Sequence, residues 1–294
     1  MNVTYSIIIP HRNSFELLKR AIASVPDRND IQIIVIDNSP NELDFSSIEV
    51  GGNVKFTILY SSIEKGAGHA RNVGLKEAIG EWLLFLDADD FFMNGAFEHF
   101  DKYIHSDYDI VYFSSTSLYS DTMKKAVRHK YYSRIVNDFA AGKEITEDKL
   151  RYTFVSPWSK LIRNKLIKEN AIQFDEVPAS NDLMFSIRSG YFAKKIHADN
   201  FPAYCITVNS GSLTTSISKK NNRSRFYVSI QQHKFMIAIG RSELRSHVFK
   251  TVIKSLRFGI KEFFWYVSLA KKEKVNIFLG INNRVKNLYQ FLNK

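Results

Sequence analysis

Residues 81–92 read EWLLFLDADDFF, and the rest of the chain is organised around this stretch. Trp82 to Leu86 form an unbroken apolar run, long enough for a strand buried on both faces of a parallel sheet. Asp87, Asp89 and Asp90 follow at its carboxyl end, which is where open α/β sheets bind ligands. One residue separates Asp87 from Asp89, so an extended backbone turns both to the same side. Hard oxygen donors of this kind suit Mg²⁺ or Mn²⁺, and such an ion can hold a diphosphate. The plain structural alternative is an Asp-rich turn that caps a helix over residues 91–100.

Working upstream, residues 5–10 (YSIIIP) and 31–36 (IQIIVI) read as buried strands, and 55–60 as a third. Helical spacing of Leu17, Leu18, Ala21 and Ile22 predicts a helix over 15–24. The segment GAGHARN (66–72) opens a second helix that runs to about Ile79 and stops at Gly80. Alternating strands and helices imply a mostly parallel sheet covered by helices. Arg12–Asn13, Asp37 and Asp87–Asp90 then fall on one edge of that sheet. No G-x-G-x-x-G follows the first strand and no G-x-x-x-x-G-K-[ST] occurs, which argues against a dinucleotide site and a P-loop. The glycines of GAGHARN read either as a flexible turn or as a place where backbone approaches a phosphate or sugar.

SIIIPHRN, VIDNS, GAGHARNVGL and WLLFLDADD, in this order and spacing, resemble the nucleotide-sugar domain of family 2 glycosyltransferases with the GT-A fold. The resemblance is close over about residues 5–100 and looser to about 216. It implies inverting transfer of one sugar from a nucleotide diphosphate donor, with a UDP-sugar expected, to an acceptor hydroxyl. On that resemblance Pro10, Arg12 and Asn13 match the first nucleotide-contacting loop. Asp37 matches the acid that contacts the base, and Arg71 the basic residue near it. Asp87 matches the ribose-side member of D-x-D, Ala88 is expected at the donor between the two acids, and Asp89 matches the ligand of a bound Mn²⁺ or Mg²⁺. His11-Arg12 departs from the more usual aromatic or small residue before Asn.

Downstream, residues 108–113 (YDIVYF) predict a strand, and 114–149 a variable insertion or acceptor-side surface. The resemblance sets residues 155–162 (VSPWSKLI) on the border of the active site; a packing Trp158 and a solvated Lys160 are the plain reading. In FDEVPASNDLMF (174–185), Asn181-Asp182 precede an apolar helix. An N-cap is the plain reading there. The family carries an acidic pair, usually Glu-Asp, at this point, so the resemblance makes Asp182 the general base that takes the acceptor proton. Asn181 stands where that Glu is usual and cannot titrate. NSGSLT (209–214) matches a late loop near the donor. The Q-x-x-R-W motif of processive members is absent, which points to addition of single sugars.

The net charge of +11 is uneven. Residues 219–294 hold 17 Lys and Arg against 3 Asp and Glu, a balance of +14, while 1–218 hold 24 against 27, a balance of −3. Apolar residues recur at Phe249, Ile253, Leu256, Ile260, Phe263 and Val267, with Lys250, Lys254, Arg257 and Lys261 beside them. That spacing predicts one basic amphipathic helix, either packed on the catalytic domain or lying on an anionic membrane surface. The lone Cys205 excludes an internal disulfide and a Cys-based zinc site, and reads as a small buried side chain. No apolar run reaches the length of a bilayer span, and the N-terminus lacks the pattern of a signal peptide.

The expected architecture is therefore a GT-A catalytic domain over 1–218, with a nucleotide-sugar half (1–100) and an acceptor half (101–218), followed by a basic helical tail (219–294). The expected setting is the cytoplasm, on the inner face of a membrane, with a glycan or lipid-linked acceptor. A nucleotidyltransferase is the enzymatic alternative. The basic tail also raises a nucleic-acid-binding module, against which the acidic site argues.

Overall fold

The computed structural model describes residues 2–40, 43–62, 65–143, 147–208 and 218–278. The NSGSLT loop and the end of the tail lie outside the described residues. Two compact units emerge, one of residues 1–177 and 181–212, the other of 178–180 and 213–294.

The first unit opens with β1 (Tyr5–His11), α1 (Phe15–Ala23), β2 (Ile31–Asp37), β3 (Lys55–Tyr60), α2 (Gly66–Glu77) and β4 (Trp82–Phe85). It continues through β5 (Phe91–Phe92), α3 (Ala96–Asp101), β6 (Ile110–Tyr119), α4 (Lys130–Ala140), α5 (Glu147–Thr153) and β7 (Lys160–Arg163). α6 (Asn164–Glu169), α7 (Leu183–Phe192) and β8 (Ile196–Val208) complete it. The strands make one sheet in the order β3-β2-β1-β4-β7-β6-β8-β5. β3, β2, β1 and β4 are mutually parallel. Beyond them β7 runs antiparallel to both β4 and β6, so the sheet is mixed on its far side.

The β-branched and leucine-rich runs of β1, β2 and β4 are buried along almost their full length, as strands covered on both faces must be. Their parallel register sets Pro10 beside Ile36 and His11 beside Asp37, and the chain leaves β4 for Asp87 at the same edge. α2 ends at Glu77 with Ala78 in extended backbone as its C-cap, three residues before the expected stop at Gly80. Cys205 is buried in β8 opposite Phe91.

The second unit holds α8 (Lys219–Ala238), α9 (Phe249–Lys254) and α10 (Ile260–Lys272). Its core gathers Phe226, Ile230, Val248, Val252, Tyr266, Ala270 and Val275. The single helix expected over 249–267 is not formed. The backbone tightens into a 3₁₀ turn at Ser255–Phe258, then breaks at Gly259 with φ 99°. That conformation strains any residue with a Cβ, so the break is written into the glycine. The apolar face moves with it. Val252, Ser255, Glu262, Tyr266 and Ala270 turn inward, while Ile253, Leu256 and Ile260 are exposed.

Candidate active site

The Asp-rich turn caps no helix. α3 begins after Gly95, and Asp90 is instead drawn inward, where Tyr204 Oη donates to it at 2.9 Å and the Thr207 amide at 2.6 Å. Burial pushes the Asp90 carboxyl well above the usual range, with the charges of Asp89 and Asp87 adding to the effect. Asp87 and Asp89 stay half-buried at the surface of the turn, and Ala88 is buried between them. The turn is clamped from two sides. Arg20 Nη2 of α1 donates to the Asp89 carbonyl at 2.6 Å, and Thr207 Oγ1 donates to the same oxygen at 2.5 Å. Tyr204 Oη also accepts from the Asp87 amide at 3.1 Å.

Arg71 joins this turn to the second acidic motif. Arg71 is 7% exposed; its Nη2 donates to Asp87 Oδ1 at 2.6 Å and Nη1 to Asn181 Oδ1 at 3.0 Å. Arginine only donates, so this bond orients the Asn181 amide. Arg71 Nε, also buried, finds no partner among the described residues. Asp182, next in sequence, precedes α7, but its side chain makes no capping hydrogen bond. The plain reading of an N-cap thus fails. Burial pushes the Asp182 carboxyl above its ordinary value, against the pull of Arg71 and Lys160.

The loop that carries Asn181 and Asp182 is held by α2. Asn72 exchanges hydrogen bonds with the backbone of Phe174 at 2.8 and 3.0 Å, and His69 Nδ1 lies 2.8 Å from Glu176 Oε1. A Cβ on Gly68 would meet the Asp175 carbonyl at 2.2 Å and Asn181 Cβ at 2.9 Å. This glycine of GAGHARN therefore serves a close approach of protein to protein.

On the other side of the edge, Asp37 is buried, and Oδ1 accepts from Ser39 Oγ at 2.6 Å and from His11 Nδ1 at 2.9 Å. The Ser14 amide donates to His11 Nε2 at 3.2 Å, which puts the imidazole proton on Nδ1, facing Asp37. His11, the departure noted in the sequence, thus orients the acid. Pro10 ends its run half-buried; Arg12 and Asn13 are exposed, and Asn13 adopts φ 58°.

The edge thus gathers every described residue expected at the site from β1, β2, α2, the turn after β4 and the entry to α7. Several others had no motif to announce them. Arg20, Tyr204 and Thr207 belong to ordinary helix and strand patterns. Lys160 did leave a signal, being a cation set between Trp158 and the apolar pair Leu161-Ile162. It is not solvated as expected: it is 2% exposed, Nζ donates to the Phe154 carbonyl at 2.6 Å, and the rings of Phe154 and Tyr112 lie 4.7 and 5.1 Å away. Burial pushes its ammonium down to about 7, opposed by the charge of Asp182. Trp158 stacks on Tyr204 at 5.4 Å and backs the same turn.

No group of three or more His, Cys, Asp or Glu side chains suited to a metal occurs among the described residues. Asp89, half-buried at the turn, fits an ion that takes its other ligands from a diphosphate and water, as Mg²⁺ commonly does, while Asp87 beside it is held by Arg71. The crowding of three acids at the turn, felt in the raised Asp90, is a field that a cation relieves.

Residues 6–170, more than half of the chain, match the family described as glycosyl transferase family 2, and the chain belongs to that family. It is 25% identical over 211 residues to the poly(ribitol-phosphate) beta-N-acetylglucosaminyltransferase TarS of Staphylococcus aureus, which takes in 68% of this chain and 35% of TarS. The chain thus spans about a third of the length of that relative. Against TarP of the same species, also a poly(ribitol-phosphate) beta-N-acetylglucosaminyltransferase, identity is 24% over 300 residues, 96% of this chain and 88% of TarP. Among solved structures, TarS 1–349 in complex with UDP-GlcNAc aligns with a TM-score of 0.57 at 18% identity, covering 79% of this chain and 67% of that one. The mannosyltransferase PcManGT from Pyrobaculum calidifontis, in complex with GDP-Man and Mn²⁺, aligns at 0.56 and 12% identity over 92% and 76%. These likenesses concern the fold, which is GT-A. Membership in the family sets the nucleotidyltransferase reading aside.

Proposed function

We propose that the protein transfers a single sugar, with inversion, from a UDP-sugar to a hydroxyl of a glycan or lipid-linked acceptor in surface-polysaccharide synthesis. The observation that carries the reading is Arg71, which ties Asp87 of the D-x-D turn to the Asn181-Asp182 pair. One buried cation thereby fixes the spacing between the donor side and an uncapped carboxylate. The UDP donor is suggested by the TarS complex with UDP-GlcNAc, and acceptors of the polysaccharide class by the relatives TarS and TarP.

In this mechanism Pro10, Arg12 and Asn13 border the nucleotide, and Asp37, held in place by His11 and Ser39, receives the base. Asp87 lies at the ribose, Ala88 borders the donor, and Asp89 would hold the divalent ion. When bound, Mn²⁺ or Mg²⁺ neutralises charge on the leaving diphosphate. Asp182 accepts the proton of the acceptor hydroxyl as its oxygen attacks the anomeric carbon. The bond from that carbon to the diphosphate oxygen breaks, and the nucleoside diphosphate leaves with the electron pair. A base whose pKa is raised by burial is better matched to this transfer near neutral pH than an ordinary carboxylate.

A panel of nucleotide sugars in a thermal-shift assay, with and without Mn²⁺, tests the donor side, because a ligand stabilises the state that binds it. A UDP-sugar is expected to raise the transition only with the metal present, and Asp89→Asn to remove the metal-dependent part. An unchanged metal-dependent shift in Asp89→Asn overturns the assignment of that residue.

A further inference from the structure

The second unit carries a surface that the chemistry of the first does not use. Across α9, the 3₁₀ turn and α10, the outward side holds Ile253, Leu256, Ile260 and Phe264, exposed by 43%, 45%, 59% and 61%. Lys250, Lys254, Arg257 and Lys261 lie on the same three elements and are exposed as well. The inward side is fully occupied by the unit's own core, with Val252, Ser255, Tyr266 and Ala270 buried. The break at Gly259 therefore splits one sequence pattern into an inner face that packs and an outer face of alternating apolar and cationic groups. Single exposed apolar residues are ordinary on any surface. Large ones recurring along consecutive turns and interleaved with cations are the composition of an interfacial segment.

We infer that this face docks on an anionic phospholipid surface, with Ile253, Leu256, Ile260 and Phe264 entering the headgroup boundary and the four cations facing lipid phosphate. Charge decides the occupant. A second copy of this chain meeting the face symmetrically would bring like cations together, and like-charge juxtaposition opposes such a contact. A neutral apolar groove would leave the cations unpaired. An anionic bilayer satisfies both halves of the pattern. The balance of +14 after residue 218 against −3 before it gives the tail the sign that such a surface attracts. No helix among the described residues is long and apolar enough to cross a membrane, so attachment here is peripheral. The inference goes beyond the catalytic reading and does not depend on it.

The test uses the full chain and vesicles of phosphatidylcholine, with and without about one-third phosphatidylglycerol, in co-sedimentation at about 0.1 M salt. Binding to the anionic vesicles is expected, falling as salt rises. Each cation near the surface contributes roughly fivefold in partition before screening. Replacing Lys250, Lys254, Arg257 and Lys261 by Glu is accordingly expected to lower binding at least about 100-fold. Ile260→Ser with Phe264→Ser is expected to lower it about tenfold while leaving the salt dependence in place. Both sets of positions are exposed, and an unchanged unfolding transition shows that each variant is folded. Equal vesicle binding by the wild type and the charge-reversed variant overturns the proposal. So does an oligomer that Ile260→Ser with Phe264→Ser dissociates without changing vesicle binding, and so does preferential, salt-dependent binding of RNA or DNA that displaces the vesicles.

Discussion

Both units of this protein bury ionic groups, and two of these clusters, one in each unit, are built to opposite rules. In the helical unit Glu262 is 2% exposed and is over-compensated: Arg223 donates to it through Nε and Nη2, and Lys219 Nζ lies 2.7 Å away. Those bonds hold its carboxyl below the usual range. In the catalytic unit the balance is left open. Among the described residues Arg71 has one carboxylate, one amide and no partner for Nε; Asp182 is half-buried without a cap; Asp90 and Lys160 are both shifted toward their neutral forms. A fully paired cluster stabilises. An incompletely paired one stores capacity for a ligand's charge, which is why perturbed groups gather at sites.

The sharpest way to test that contrast is Asp182→Asn. Transfer is expected to fall by about 10²–10⁴-fold with donor affinity unchanged, since the carboxylate acts only in the transition state. Loss of donor binding with turnover at saturation preserved would make Asp182 a binding residue instead. Next comes Gly68→Ala. Its Cβ would stand 2.2 Å from the Asp175 carbonyl, so the loop bearing Asp182 must shift. A displacement near 1 Å costs about 10²-fold in rate, with donor binding far less affected; kinetics at saturating donor give the comparison.

Glu262→Gln sharpens the other side. Breaking its pairs is expected to destabilise the helical unit by about 2–3 kcal/mol, below the range for fully buried pairs because both cations are partly exposed. Denaturant unfolding measures the loss, and metal-dependent donor binding is expected to stay as in the wild type. The pair also has a pH signature. A lowered carboxyl pKa contributes stability above the unfolded value that is lost as pH falls through the folded one, so the variant is expected to lose less stability on acidification.

The smallest effect belongs to Lys160. Its folded pKa, pushed down to about 7 from an ordinary 10.5, means that the unfolded chain binds more protons than the folded one between those values. Stability from this group therefore rises with pH across that window and is least below it. Between pH 7 and 8 the wild type is expected to gain about 1 kcal/mol relative to Lys160→Met. Parallel pH profiles for the two proteins would mean that Lys160 stays charged in its pocket.

The sequence by itself determined the frame of the site. Contiguous apolar runs such as IQIIVI and WLLFL have only one economical use, a strand covered on both faces, and the acids that follow them must then emerge at a common edge. Asp37, Asp87 and Asp89 could be placed for that reason, and Asp182 through its motif. The tertiary structure decided which charges stay open. Asp90 looked equivalent to its neighbours until Tyr204 and Thr207, more than a hundred residues away, drew it inward. Arg71 gained its bridging role from Asn181 across a similar separation. Periodicity in the tail likewise announced an amphipathic segment, but a repeat names a stripe and not the neighbour that covers it. The left-handed backbone at Gly259 and the packing of Val252, Tyr266 and Ala270 decided which side went inward. Burial and pairing are properties of surroundings, and surroundings are assembled from distant parts of the chain.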